Sequence, residues 1–188
     1  MPIKHHSAST IRTALWITLF SIMGATACST PSTPTESKTA PAPSATPVLT
    51  TQGYGDIRFG DKMSQIPESV RASMKRPIPK DERECTFIEF TQYPNILFML
   101  ENDTFTRADM RANIPNDLKL LIGMSSEEVL RRYPQTVVTQ HKYVETGHYL
   151  TIWAPDKRSA FVLEEENGRI TQIRSGLEPS VSYVEGCS

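Results

Sequence analysis

The sequence predicts an α+β fold, in which two repeats of strand, helix and antiparallel meander build one sheet with the helices packed on one of its faces. The main observation is internal similarity. Residues 57–66 (IRFGDKMSQI) align with residues 120–129 (LLIGMSSEEV), and each is a short apolar strand that ends at a glycine before a helix. Residues 96–105 align with residues 161–170, and each predicts a β-hairpin. The predicted repeats span residues 53–113 and 114–188.

Local signals place the elements of each repeat. Ser125 and Glu128 form a capping box that begins a helix, and Pro134 ends it. The expected buried side of this helix consists of Val129, Leu130 and Tyr133. In the first repeat Ser64 is the expected cap, before Ile66 and Val70. Alternating apolar residues predict strands at residues 85–90, 96–101, 105–110, 137–144, 148–154, 159–164, 169–175 and 181–185.

Two signals mark the hairpin at residues 159–175. Asn167-Gly168 is a hairpin turn, because both residues tolerate positive φ. Glu164-Glu165-Glu166, just before it, is interpreted as a solvated strand end.

The N-terminus predicts a secretory signal peptide at residues 1–27. Lys4 and Arg12 provide positive charge, residues 14–23 are apolar, and small residues follow. The apolar segment is shorter than the ~20 residues of a membrane-spanning helix. A buried helix of a globular domain is the alternative, and the Pro/Ser/Thr-rich tract that follows disfavours it.

Ala25-Thr26-Ala27-Cys28 resembles the lipobox of bacterial lipoproteins, although Ala25 stands where a larger aliphatic residue is usual. The resemblance implies that Cys28 carries the lipid. It also implies a periplasm-facing position on the outer membrane, because Ser29 replaces the aspartate of many retained inner-membrane lipoproteins. The alternative is ordinary cleavage that releases a soluble periplasmic protein. Five prolines among residues 28–52 then predict an extended tether.

The charge of the predicted mature chain argues against nucleic-acid binding. Loss of Lys4 and Arg12 leaves 18 basic residues against 21 acidic residues, a net charge of about −3. The basic residues are scattered and form no stripe along the sequence.

The tandem Gly-x-x-Ser helix followed by a meander resembles the β-lactamase-inhibitor-protein fold and the BamE-type outer-membrane assembly lipoproteins. Residues 141–143, 147–150 and 183–187 also resemble a group of uncharacterised proteobacterial lipoproteins. These resemblances imply a protein that binds proteins or helps to assemble complexes. They supply no catalytic residue.

Cys85 and Cys187 remain once Cys28 is lipidated. Two thiols in an oxidising compartment predict a disulfide between them. A reactive nucleophile is the alternative, but neither cysteine lies in a Cys-x-x-Cys motif or at a helix start.

The hairpin around residue 146 decides where four aromatic side chains point. A three-residue loop at residues 145–147 would place His141 and His148 on opposite faces, which disfavours a metal site; a two-residue loop would place them on one face. With the three-residue loop, Leu150 and Ile152 face the core. The predicted partner-binding face then carries His141, Tyr143, Tyr149 and Trp153, with Thr151 among them. In the alternative this face is covered and its aromatic residues are core.

The sequence thus predicts a lipid-anchored periplasmic protein-binding module, with inhibition of an envelope enzyme as one such role. A structural accessory lipoprotein of an outer-membrane assembly complex is the alternative. An enzyme is disfavoured because the chain contains no recognised catalytic or phosphate-binding motif, and no cofactor is expected.

The lipid anchor has a direct test. Cys28→Ala should move the protein from the membrane fraction to the soluble periplasmic fraction and abolish palmitate labelling, because the lipid would have no attachment site. Unlabelled wild-type protein that remains membrane-bound would contradict this prediction.

Overall fold

The computed structural model describes residues 46–79 and 84–187. The predicted signal peptide, Cys28 and residues 28–45 of the predicted tether lie outside the described residues. The strands of this part of the chain are β1 (Leu49–Thr50), β2 (Gly53–Tyr54), β3 (Ile57–Arg58), β4 (Cys85–Phe90), β5 (Tyr93–Glu101), β6 (Thr104–Met110), β7 (Val137–Gln140), β8 (His148–Trp153), β9 (Ser159–Glu166) and β10 (Arg169–Leu177). The helices are α1 (Glu68–Arg71), α2 (Ser126–Arg132) and a 3-10 helix at Ser180–Ser182.

The strands form two antiparallel sheets. Strands β1, β2 and β3 make a small sheet, and the other seven make a large one in the order β4-β5-β6-β10-β9-β8-β7. One meander runs inward from β4 and the other from β7, and they meet where β6 pairs with β10. The central seam of the large sheet therefore joins residues from the two halves of the domain.

The α+β prediction is wrong, because the fold is mostly β and the two α-helices are too short to form a layer. Helices α1 and α2 have four and seven residues, and each fully buries one side chain, Val70 or Val129. Leu130, expected on the buried side, is 38% exposed. Val70 and Val129 belong to the main hydrophobic core of the domain. Apolar residues of the small sheet and of the loop before α2 also belong to this core, among them Leu49, Ile57, Ile114 and Leu120.

Proline limits both helices. Pro67 occupies the N-cap of α1, without a side-chain hydrogen bond, so the predicted cap at Ser64 is wrong. Pro134 follows the last residues of α2 and blocks its extension. The predicted N-cap of α2 is confirmed: the Ser125 side chain accepts a hydrogen bond from the Glu128 backbone N–H at 3.2 Å.

Equivalent positions of the two halves make equivalent backbone contacts. The Gly60 N–H donates to the Phe105 carbonyl at 2.8 Å, and the Gly123 N–H donates to the Ile170 carbonyl at the same distance. Both glycines have positive φ, 98° and 93°, which only glycine adopts readily. In each half these bonds attach a short apolar segment to the hairpin that follows it in sequence.

The folded body begins before the predicted boundary at residue 53. Leu49 is fully buried, and strand β1 pairs with β2. The Tyr93 hydroxyl donates to the Asp56 carboxylate at 2.7 Å and accepts from the Asp56 N–H at 2.9 Å, which ties the turn between β2 and β3 to β5. Strand β1 therefore belongs to the folded body rather than to the tether.

The chain after β10 does not form the strand predicted at residues 181–185. It makes the 3-10 helix and then an extended segment that ends at Cys187. Residues 178–187 are called the strap below, because they lie against the face of the large sheet opposite the main core. None of the described helices has the length and apolar character needed to cross a membrane.

Candidate functional site

The seam between β6 and β10 brings three charged side chains together on the face covered by the strap. Asp109 of β6 is opposite Arg174 of β10, and Arg107 is opposite Gly176. A side chain at position 176 would meet the β6 backbone, since a Cβ there would lie 2.4 Å from the Thr106 oxygen. The glycine therefore allows the close approach of the two strands beside Arg107.

These side chains belong to a charged cluster of five residues, Arg107, Asp109, His141, Glu164 and Arg174. Arg107 forms a two-point ion pair with Asp109, at 2.6 Å and 2.9 Å. Arg174 pairs with Glu164, and both side chains are more than nine-tenths buried. In the part of the chain that the structure describes, every buried side-chain nitrogen or oxygen has a hydrogen-bond partner. The two arginines and two carboxylates balance, so the cluster is neutral when His141 is neutral.

Burial lowers the pKa of Arg174 from its ordinary value, and the positive charge of Arg107 lowers it further. Hydrogen bonding and charge from Glu164, and charge from Asp109, act in the opposite sense. Removal of one carboxylate would leave an uncompensated buried cation, which is strongly destabilising.

The two arginines bind the strap through its backbone carbonyls. Arg107 donates from Nη1 to the Tyr183 oxygen at 2.7 Å and to the Ser180 oxygen at 3.3 Å. Arg174 donates from Nε to the Val181 oxygen at 2.8 Å. Bonds from charged donors are stronger than neutral ones, so the strap is fastened along its first half.

A disulfide fastens the other end of the strap. Cys187 is bonded to Cys85 of the edge strand β4, with Cα atoms 5.3 Å apart. The predicted pairing of these cysteines is present in the structure. Because the two residues are 102 positions apart in sequence, the bond joins an edge of the large sheet to the end of the chain.

Apolar packing completes the attachment of the strap. Val181 is fully buried in a small second core with Tyr149, Ala160 and Val162, and Trp153 and Val184 pack against it. Tyr149 and Trp153 therefore face the strap rather than solvent.

The loop between β7 and β8 is held by the same cluster. The backbone N–H groups of Tyr143 and Val144 both donate to His141 Nδ1, at 3.1 Å each. The imidazole stacks on Tyr149 with ring centres 4.5 Å apart, and its Nε2 lies 3.6 Å from Glu164. The Gln140 side chain donates to the backbone oxygens of Glu145 and Gly147 from the other side. Hydrogen bonds among residues 140–147 thus fix the conformation of the loop.

Four solvent-facing residues of the strap and this loop form what we call the tyrosine rim: Lys142, Tyr143, Tyr183 and Glu185. Tyr143 is 60% exposed and Tyr183 is 37% exposed. Lys142 lies over the Tyr143 ring, 5.1 Å from its centre, and pairs with Glu185 at 2.8 Å. Three residues of the rim, Lys142, Tyr183 and Glu185, line an open cavity of about 630 Å³, together with Glu84, Glu101 and the disulfide. The rim combines aromatic surface with paired charges, a combination suited to a protein contact.

Most of the predicted partner-binding face is not exposed to solvent. The loop spans residues 141–147, and Thr139 rather than Tyr143 is opposite Tyr149, so the three-residue loop is wrong. His141 and Tyr149 are buried and Trp153 is half-buried; of the four predicted residues only Tyr143 is exposed. Leu150 and Ile152 face the main core as predicted.

The two histidines do lie on opposite faces of the sheet. His141 approaches Glu164, whereas His148 Nδ1 lies 2.8 Å from Glu165, the next residue along β9. The described residues include no group of three or more potential ligands placed to hold a metal ion.

Glu164 and Glu165 are buried, so their interpretation as a solvated strand end is wrong. Strand β9 extends to Glu166, so Glu164 and Glu165 both lie within the sheet. Strict alternation from Ala160 and Val162 would have placed Glu164 on the face of Tyr149. The roles of Arg107 and Arg174 had no comparable signal, because a buried arginine and an exposed one look alike in sequence.

Substitution of Trp153 tests whether the strap covers this face of the large sheet. Trp153→Ala should lower the free energy of unfolding by roughly 2 kcal/mol, less than the 3–5 kcal/mol of a fully buried tryptophan, because the side chain packs on the second core from its margin. Urea unfolding measures the loss, and Trp153→Phe should recover most of it. An unchanged stability of Trp153→Ala would contradict this packing.

Comparison with family models, characterised proteins and solved structures gives no significant match.

Proposed function

We propose that this protein is a lipid-anchored module of the periplasm that binds a protein partner of the cell envelope through the tyrosine rim. The observation that supports the proposal is the pair of exposed tyrosines, Tyr143 and Tyr183, on separate segments of the chain. Tyr183 lines an open cavity, and the Tyr143 ring contacts Lys142, which lines the same cavity. Tyrosine is enriched in protein interfaces because its ring supplies contact area and its hydroxyl a polar bond. The Lys142–Glu185 pair links the two segments.

The rim is pre-organised, which favours binding. His141 fixes the backbone at Tyr143, and Arg107 fixes the backbone carbonyl of Tyr183. The disulfide prevents the strap from lifting at its end. A partner would therefore meet a formed surface, and little conformational entropy would be lost on binding.

The sequence supports the position that we propose for the module. Lipidation at Cys28 and a proline-rich tether up to β1 would hold the rim away from the outer-membrane surface, facing the periplasm. The acidic net charge and the paired charges of the rim favour a protein partner over nucleic acid.

Substitution of Tyr143 tests the proposal. Immobilised protein should capture a partner from envelope extracts, and Tyr143→Ala should weaken that capture by about 30-fold or more if the side chain is a hot spot. The melting temperature should stay nearly unchanged, because the side chain is mostly exposed. Titration of the captured protein against each variant measures the effect.

Leu130→Ala is the matched control, since Leu130 is an exposed apolar residue of α2 outside the rim. It should leave capture unchanged. Capture that survives Tyr143→Ala and Tyr183→Ala together, or that falls equally in the control, would exclude the rim as the contact surface.

A further inference from the structure

The conformation of the loop between β7 and β8 depends on one unprotonated ring nitrogen. The backbone N–H groups of Tyr143 and Val144 both donate to His141 Nδ1, at 3.1 Å each. A backbone N–H can only donate, so Nδ1 must be an acceptor, and the single proton of the neutral imidazole must lie on Nε2. His141 is 8% exposed, so water cannot readily replace either bond. The closed loop therefore fits the neutral Nε2–H form of His141.

A second proton on this ring would break both bonds. The imidazolium form donates from both nitrogens, so an Nδ1–H would point at two groups that are donors themselves. A buried donor without a partner is costly, and the loop can satisfy its N–H groups only by opening to water. The movement would be confined to residues 142–146, because the His141 N–H donates to the Gly147 oxygen at the base of the loop.

Four elements place titratable or charged groups against His141. Its ring contacts Tyr143 of the loop and stacks on Tyr149 of β8. Its Nε2 lies 3.6 Å from Glu164 of β9. Arg174 of β10 pairs with Glu164 and lies over the Tyr149 ring. The ring is therefore enclosed by aromatic surface and by an ion pair.

These charges do not offset the loss of the two bonds. Glu164 attracts a proton on the ring, but its own charge is already neutralised by Arg174. The neighbouring charges are paired as well, Arg107 with Asp109 and Lys142 with Glu185. A protonated His141 would therefore give the buried cluster an unbalanced positive charge, which is unfavourable away from water.

We propose that His141 is a pH-dependent latch: the neutral ring holds residues 142–146 in the closed loop, and protonation of the ring releases them. Release would move Tyr143 and Lys142, two of the four residues of the tyrosine rim, and would separate Lys142 from Glu185. The latch is a property of the loop, and it does not depend on whether the rim binds a partner.

The direction of the pH dependence follows from the protons bound in each state. The released loop binds one proton more than the closed loop, so acid favours release. A free imidazole titrates near pH 6.5, so the latch should be closed at about pH 8 and released as the pH falls to about 5.

NMR spectroscopy of the intact, 15N-labelled protein tests the latch. At the higher pH the imidazole 15N shifts of His141 should show a proton on Nε2 and none on Nδ1. At the lower pH the Tyr143 and Val144 amides should lose about tenfold or more of their protection from hydrogen exchange, corrected for the intrinsic pH dependence, because two hydrogen bonds are lost. The Leu163 amide is the internal control, since β9 is paired on both sides.

His141→Asn is the matched variant. Its side-chain oxygen can accept from the same two N–H groups, but the amide gains no proton in this pH range. Protection of the loop should therefore persist in acid. The variant keeps His148, the other histidine of the described residues, so the titration of His148 is common to both proteins. His141→Phe keeps the stacking on Tyr149 but has no acceptor, and its loop should be unprotected at both pH values.

Three results would overturn the proposal. The first is equal protection of the Tyr143 and Val144 amides at the two pH values in the wild type. The second is a proton on His141 Nδ1 at the higher pH. The third is a loss of protection in acid that is as large in His141→Asn as in the wild type.

Discussion

The buried ion pair between Arg174 and Glu164 is the interaction on which the second face of the sheet depends. Both side chains are almost completely buried, and Arg174 also donates to the strap carbonyl at Val181. Glu164 in turn faces His141, which holds the loop of the β7–β8 hairpin. Desolvation of two charges is costly, and the cost is offset only while both partners and their hydrogen bonds are present. Loss of either residue would therefore affect the strap and the loop together.

This dependence links the seam of the sheet to its exposed surface. The register of β6 and β10 sets Asp109 opposite Arg174, and Arg107 beside them binds the carbonyl of Tyr183. The strap then covers the second core and ends at the disulfide. The surface that remains is narrow, and its tyrosines are held by backbone contacts rather than by their own packing. Such a surface is suited to recognition, because its shape is set before a partner arrives.

Several local signals in the sequence were reliable, although the predicted Ser64 cap and the three-residue loop were wrong. Predictions of which side chains are covered failed more often. The Ser125 cap, the Asn167-Gly168 turn and the disulfide are present because each depends on a few neighbouring residues or on compartment chemistry. The predicted helical layer is absent because hydrophobic spacing did not show that the helices would have only four and seven residues, each with one buried side chain. The covered face was not predicted either, since alternation places Tyr149 on a face without showing what lies over it. Glu164 looked solvated because charged residues are usually exposed.

A double-mutant cycle on Arg174 and Glu164 tests the central claim most directly. Arg174→Met and Glu164→Gln should each lower the free energy of unfolding by about 3–5 kcal/mol, because each leaves a buried group without its partner. The double variant should lose clearly less than the sum, with a coupling energy of about 2 kcal/mol or more in urea unfolding. Additive losses, within about 0.5 kcal/mol, would show that the pair does not hold this face together.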